Sequence, residues 1–214
     1  MDGKMLYEEC GVFGIYGHKD TATFITLGLH ALQHRGQEAA GIVTFDGEHF
    51  HTHRALGLVG DNFNEQKVVQ KLNGSIGIGH VRYATTGETI IRNVQPLFAE
   101  FKFGGLAVAH NGNLTNARRL RAELIERGCI FQSTMDTETI VHLIARSEYG
   151  KVVDRLIDSL KQVQGAYSLV AMSQKKLIGV RDPTGVRPLV LGRKDGAYIL
   201  TSETCALDII DATF

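Results

Sequence analysis

Three features of the chain predict a layered α+β fold. Apolar runs with strand character recur at residues 11–17, 40–45, 75–82, 104–110, 166–173, 176–181 and 197–201, and they fall into blocks. Helical stretches separate the blocks instead of following every strand, which disfavours strict β-α-β repetition and a doubly wound parallel sheet. With 214 residues, 43% apolar content and 3 prolines, the chain can bury one sizeable core and shows no linker at which to divide it.

The helical segments follow from apolar spacing. Between Asp20 and His34, residues Ala22, Ile25, Leu29 and Leu32 recur at three- and four-residue steps and share one helical face. Residues 115–127 place Ala117, Leu120 and Leu124 on one side, arginines and glutamates on the other, and Gly128 marks the stop. A third helix is expected to begin near Asp136, with Ile140, Val141 and Ile144 as its buried stripe, and a fourth to cover 150–163.

Charge and cysteine usage exclude several functions. Lys plus Arg equals Asp plus Glu at 23 each, so no basic excess favours nucleic acid. Three cysteines, at 10, 129 and 205, form no CxxC pair and leave an odd count, which argues against a disulfide framework and for the cytoplasm. Residues 1–9 lack the basic start and apolar stretch of a secretory signal, and no run of 18 apolar residues suggests a membrane span. His49, His51 and His53 alternate along a predicted strand, but no cysteine or carboxylate stands at a matching short spacing, so no metal ligands are assigned. Asp182-Pro183-Thr184-Gly185 matches a type I turn position by position.

Chemistry concentrates at four places. Cys10 follows nine residues and precedes the small, apolar run Gly11 to Gly17. If those nine are removed, a single residue carries both a thiol nucleophile and a base, because a free α-amine titrates near about 7.7–8.0 whereas an amide nitrogen has no useful basicity. Attack on a carboxamide then yields a thioester and ammonia, and water releases the acid. In Ala109-His110-Asn111-Gly112-Asn113 the strand is expected to end in an Asn-Gly turn. The same amide and the Gly112 N–H could alternatively form a two-donor oxyanion hole. Arg82, leaving a strand beside Tyr83, Thr85 and Thr86, can grip a carboxylate through two parallel hydrogen bonds. Ser133-x-x-Asp136 has capping-box spacing, yet Asp136 could instead receive a substrate ammonium.

Cys10-Gly11-Val12-Phe13-Gly14, the segment Gln33 to Gly41, Gly79-His80-Val81-Arg82-Tyr83, the segment Ala109 to Leu114, and Asp182 to Leu189 together resemble the N-terminal glutaminase domain of the amidophosphoribosyltransferase family. The resemblance runs from Cys10 to Phe214, and His34-Arg35-Gly36-Gln37-Glu38 and Ser202-Glu203-Thr204-Cys205-Ala206 favour this family over other class II amidotransferases. It implies a four-layer αββα sandwich of the N-terminal nucleophile hydrolase type. Residues 1–9 become a propeptide and 10–214 the glutaminase domain. Cys10 becomes the nucleophile, Asn111 and Gly112 the oxyanion hole, and Arg35 and Gly36 the residues that position the new N-terminus. Arg82 would hold the α-carboxylate of L-glutamine and Asp136 its α-ammonium, with Tyr83, Thr85 and Thr86 in a loop over the substrate.

Nothing in the chain resembles the family's phosphoribosyltransferase half, so a truncated polypeptide is expected that makes ammonia and glutamate without forming phosphoribosylamine. Magnesium, and the iron–sulfur cluster of some members, are expected only with that missing half, as is assembly into a homo-oligomer. Two alternatives stand beside this reading. One is another amidotransferase or a cysteine N-terminal amidase, and the other is a non-catalytic module that binds glutamine or a partner with its leader uncut.

Overall fold

The computed structural model describes residues 9–63, 66–83 and 89–214. Strand β1 (Gly11–Tyr16) leads into α1 (Thr21–Ala31), and a 3-10 turn at Gln33–Arg35 connects to β2 (Ala39–Phe45) and β3 (Phe50–Leu56). Short helices α2 (Val59–Asn62) and α3 (Gln66–Lys71) precede β4 (Ile76–Arg82). Next come β5 (Leu97–Phe101), β6 (Gly104–Leu114) and three helices, α4 (Ala117–Glu126), α5 (Asp136–Arg146) and α6 (Val152–Leu160). The chain finishes with β7 (Gly165–Ser173), β8 (Lys176–Arg181), β9 (Val190–Lys194), β10 (Ala197–Thr201) and α7 (Cys205–Asp208).

The strands form two antiparallel sheets, one ordered β3-β2-β4-β1-β10-β9 and the other β5-β6-β7-β8. Side chains alternate across each strand, so each sheet has two faces to bury. Val12, Val43, Ile76 and Ile78 from the first sheet meet Ala107, Ala109, Val170 and Met172 from the second in a middle layer. The opposite face of the first sheet, through Phe13, Ile15, Ile42 and Val81, packs on Ile25, Leu29 and Leu32 of the α1 region. The opposite face of the second, through Leu106, Val108, Leu169 and Ala171, packs on Leu120, Leu124, Ile140, Ile144 and Leu156 of α4, α5 and α6. The layer order is therefore αββα, as the resemblance implied.

Close approach sets the first helical layer. A Cβ on Gly79 of β4 would lie 2.5 Å from Ile25 and 2.8 Å from Leu29, so only glycine lets α1 settle this near to the sheet. The four predicted stripe residues of this segment, Ala22, Ile25, Leu29 and Leu32, are all buried. Helix α4 ends as expected: Gly128 adopts φ 83°, and Cys129 N–H reaches back to the Leu124 carbonyl at 3.0 Å. The Asp182–Gly185 turn is closed by the Gly185 N–H on the Asp182 carbonyl at 3.0 Å.

Two expectations are corrected. Strand β6 does not turn at Asn111-Gly112: it continues to Leu114, pairing Asn111 with Ser168, Gly112 with Tyr167 and Leu114 with Gly165. The neighbouring β7 offers a full-length partner, and pairing outweighs the local turn preference of Asn-Gly. Gly112 takes φ 143°, and a Cβ there would stand 2.2 Å from the Ala166 carbonyl oxygen. Gly112→Ala is accordingly expected to lower stability by at least about 2 kcal/mol, seen as a lower urea midpoint with an unchanged slope.

The second correction concerns the Ser133-x-x-Asp136 capping box. Met135 occupies the N-cap position, and no side chain caps the helix there. Glu138 instead accepts hydrogen bonds from the Gln132 N–H (2.8 Å), the Ser133 N–H (2.7 Å) and the Ser133 hydroxyl (2.7 Å). Asp136 is left free to turn toward β6.

Candidate active site

Cys10 lies just before β1, where its backbone is held at both ends by one residue. Its N–H donates to the Arg35 carbonyl at 2.8 Å, and its own carbonyl accepts from Arg35 Nε at 2.7 Å. Cys10 takes φ 71°, a left-handed conformation that L-residues seldom adopt, and the two-sided clamp holds it there. That φ is defined by the carbonyl carbon of Glu9, so removal of residue 9 removes the constraint. Burial pushes the Cys10 thiol above its ordinary pKa, outweighing the pull of the Arg82 and Arg35 charges. The thiol therefore rests protonated and needs a base before it can attack.

Arg35 owes its position to a third contact, because its buried guanidinium also pairs with Glu203, just beyond β10. Burial alone would raise the Glu203 carboxyl, but the Arg35 hydrogen bond and the Arg35 and His34 charges hold it below the usual range. Sequence reasoning used Glu203 only as part of a recognition motif and assigned it no role. A buried arginine demands a carboxylate partner, yet no spacing rule links positions 168 residues apart. Gly36 has extended backbone, and a Cβ there would lie 2.7 Å from the Arg82 main chain. Glycine thus brings the Arg35 segment against the end of β4.

The end of β4 faces the interior. Ile76 and Ile78 point into the middle layer, and strand alternation turns His80 and Arg82 the same way. Arg82 is 1% exposed, so it is no surface charge. Tyr83 is exposed, and its carbonyl accepts the Cys10 thiol at 3.6 Å. Thr85 and Thr86 lie outside the described residues.

Across the middle layer, His80 Nε2 donates to the His110 carbonyl at 3.1 Å and ties the end of β4 to β6. The next residue, Asn111, shares the inward face of Ala107 and Ala109. Its side chain is fully buried, and neither its oxygen nor its nitrogen has a hydrogen-bond partner among the described residues. A stranded amide of this kind costs about 1–3 kcal/mol, which a fold tolerates where the group serves a ligand.

His110 faces the opposite side. Its Nδ1 lies 3.1 Å from the Thr137 hydroxyl and 3.4 Å from Asp136 Oδ1, while Asp136 Oδ2 accepts the Leu114 N–H at 2.9 Å. Burial raises the Asp136 carboxyl, but the His110 charge and hydrogen bond and the Leu114 and Thr137 N–H groups together bring it below its ordinary value. It is a carboxylate throughout the neutral range. A cleft of about 420 Å³ opens beside it, lined by Asn113, Arg118, Thr134 and Met135 among others. His80, by contrast, is driven by burial down to a pKa of about 3, so it is uncharged and a poor general base.

The three alternating histidines do not converge. His51 pairs with Asp46 at 2.7 Å, and His53 packs edge-on against Phe63 at 5.1 Å.

Residues 80–208 match the glutamine amidotransferase domain model. The chain belongs to the glutamine amidotransferase domain family. An amidophosphoribosyltransferase of Rhizobium etli is 60% identical over all 214 residues, and the match covers 43% of that relative. A solved structure described as the allosteric regulatory enzyme of purine biosynthesis superposes with TM-score 0.92 at 46% identity, over 95% of this chain and 44% of that one. A second, the glutamine phosphoribosylpyrophosphate amidotransferase of B. subtilis with ADP and GMP, gives TM-score 0.90 at 46% identity, over 95% and 44% of the two chains. The αββα sandwich of this amidotransferase domain is thus the N-terminal nucleophile hydrolase fold of those enzymes. The chain spans less than half the length of these relatives. Among the described residues no helix is long and apolar enough to cross a membrane.

Proposed function

We propose that the domain hydrolyses L-glutamine to glutamate and ammonia with Cys10 as an N-terminal nucleophile, after loss of residues 1–9 as a propeptide. The observation that carries this reading is the Arg35 clamp on the Cys10 N–H and carbonyl. A clamp on both backbone groups suits a residue whose nitrogen must be held as a free amine. The thiol proton passes to that amine as sulfur attacks the carboxamide carbon, and the tetrahedral oxyanion forms beside the Asn111 amide and the Gly112 N–H. Collapse breaks the C–N bond as the leaving nitrogen takes the proton from the Cys10 α-ammonium and departs as ammonia, and water then cleaves the thioester. Arg82 pairs with the substrate α-carboxylate and Asp136 with its α-ammonium, Gly36 allows Arg35 to approach, and Tyr83, Thr85 and Thr86 are assigned to substrate binding.

In the longer enzyme the ammonia would supply a phosphoribosyltransferase half that converts phosphoribosylpyrophosphate to 5-phosphoribosylamine, the first step of purine synthesis. Magnesium and any iron–sulfur cluster would belong to that half, as would assembly into a homo-oligomer. A cytoplasmic setting suits the free thiols at Cys10, Cys129 and Cys205. The test is direct. The chain beginning at Cys10 should release equimolar glutamate and ammonia from glutamine, and an electrophilic glutamine analogue should add to the Cys10 peptide alone. Labelling of Cys129 or Cys205 instead, or no ammonia, would refute the assignment.

Asp136→Asn separates the two roles weighed for this residue. Asparagine keeps an oxygen for the Leu114 N–H, and the lost helix-terminus charge is worth about 0.3–1 kcal/mol, so the melting point should stay near wild type. A charge-assisted bond to the substrate ammonium is worth roughly 1.5–3 kcal/mol, so the glutamine KM should rise at least about tenfold. A fall in melting point with KM unchanged would return Asp136 to a structural role.

A further inference from the structure

Behind the Arg35 clamp lies a cluster of which only Glu203 bears on the glutaminase site, through its ion pair with Arg35. His34, Glu203 and Cys205 each offer one ligand-type atom, and these atoms lie within 4.8 Å of one another. Nε2 of His34 stands 2.9 Å from Glu203 Oε2, and Cys205 Sγ stands 3.6 Å from the same oxygen. Around a tetrahedral zinc ion, with bonds of about 2.0–2.1 Å to nitrogen or oxygen and about 2.3 Å to sulfur, neighbouring ligands are roughly 3–4 Å apart. The two contacts to Glu203 Oε2 are close to that spacing.

The orientation of His34 is a second, independent observation. Its Nδ1 lies 3.0 Å from the Ala31 carbonyl oxygen, which can only accept, so Nδ1 carries the proton. Nε2 then faces a carboxylate oxygen at 2.9 Å, a contact that is bridged by a proton or a metal ion. An Nδ1–H donated to a backbone carbonyl is also the contact that fixes a metal-binding tautomer. Glu203 is oriented as well, because Arg35 holds its other oxygen. The His34 side chain is 56% exposed, which leaves an entry path.

We propose that His34 Nε2, Glu203 Oε2 and Cys205 Sγ form a three-ligand Zn²⁺ site, with the fourth position taken by water. Binding releases the thiol proton of Cys205, and any proton on Nε2, to solvent; thiolate and carboxylate then balance the charge of the ion, and no electron is transferred. The Arg35 guanidinium draws on the same carboxylate, so the thiolate is the ligand on which affinity chiefly depends. Through Glu203 and Arg35 the ion sits one ion pair from the backbone of Cys10. His34 stands 169 residues before Glu203, a separation that no ligand-spacing motif covers, and the sequence therefore assigned no metal ligands.

Cobalt(II) is the probe, titrated into the reduced chain. A near-ultraviolet thiolate-to-cobalt charge-transfer band should saturate at one ion per chain and be displaced by Zn²⁺. Cys205→Ser should abolish the band, His34→Gln should weaken Co²⁺ binding at least about tenfold, and Cys10→Ala and Cys129→Ala should retain it. Circular dichroism checks each fold, and if Cys205→Ser is unfolded, the exposed His34 decides through His34→Gln. Absence of a band in a large excess of cobalt, persistence of the band in folded Cys205→Ser, unchanged binding in His34→Gln, or loss of the band in Cys10→Ala would each overturn the site.

Discussion

A chain that retains residues 1–9 is expected to release no ammonia from glutamine, while the same chain starting at Cys10 turns over. With Glu9 attached, the Cys10 nitrogen is an amide that donates to the Arg35 carbonyl at 2.8 Å and has no proton affinity to offer. The thiol cannot supply its own activation, because burial holds it protonated. Once freed, the nitrogen keeps the same carbonyl contact and becomes an amine of pKa about 7.7–8.0, so glutaminase activity should rise with pH as that amine loses its proton. Loss of a positioned base costs roughly 10²–10⁴ in rate. Intact mass identifies the two forms, and glutamate release measures them. Equal rates would require another base, and His80, with a pKa of about 3, is a poor candidate.

Asn111→Ala is expected to lower turnover by about 10²–10³ with glutamine KM little changed, since the amide acts on charge that exists only in the transition state. The structure adds a discriminating sign. A structural asparagine loses hydrogen bonds on truncation and destabilises its protein, but the Asn111 amide has no partner among the described residues to lose. The melting point should therefore stay within a few degrees of wild type while activity collapses. Arg82→Ala is expected to do the opposite kinetically, raising KM more than it lowers kcat. Turnover within about twofold in Asn111→Ala would remove the amide from the oxyanion site.

Much of the core was legible because its periodicity is local. The stripe Ala22, Ile25, Leu29 and Leu32 announced α1, and Leu120 and Leu124 announced α4. Strands β5 and β9 were missed because each is a partly exposed sheet edge of only 5 residues, too short to give a distinct apolar run. The Asn111-Gly112 pair misled for a related reason. Turn preference belongs to a dipeptide, whereas the choice to continue β6 belonged to β7, more than fifty residues later in the chain.

The sequence by itself determined the chemistry available: a cysteine nine residues in, an amide beside a glycine, an arginine at a strand end, a carboxylate at a helix start. Each is a residue type whose reactivity needs no neighbour to be named, and together they carried the family resemblance. Only the tertiary structure decided what each of them meets. Asp136 turned from its helix to Leu114 and His110 because Glu138 took over Ser133. Arg35 found Glu203, and Glu203 brought His34 and Cys205 together, across a gap of more than 160 residues. Such pairings arise from antiparallel strands that return distant segments to one edge, and no local pattern of spacing encodes them.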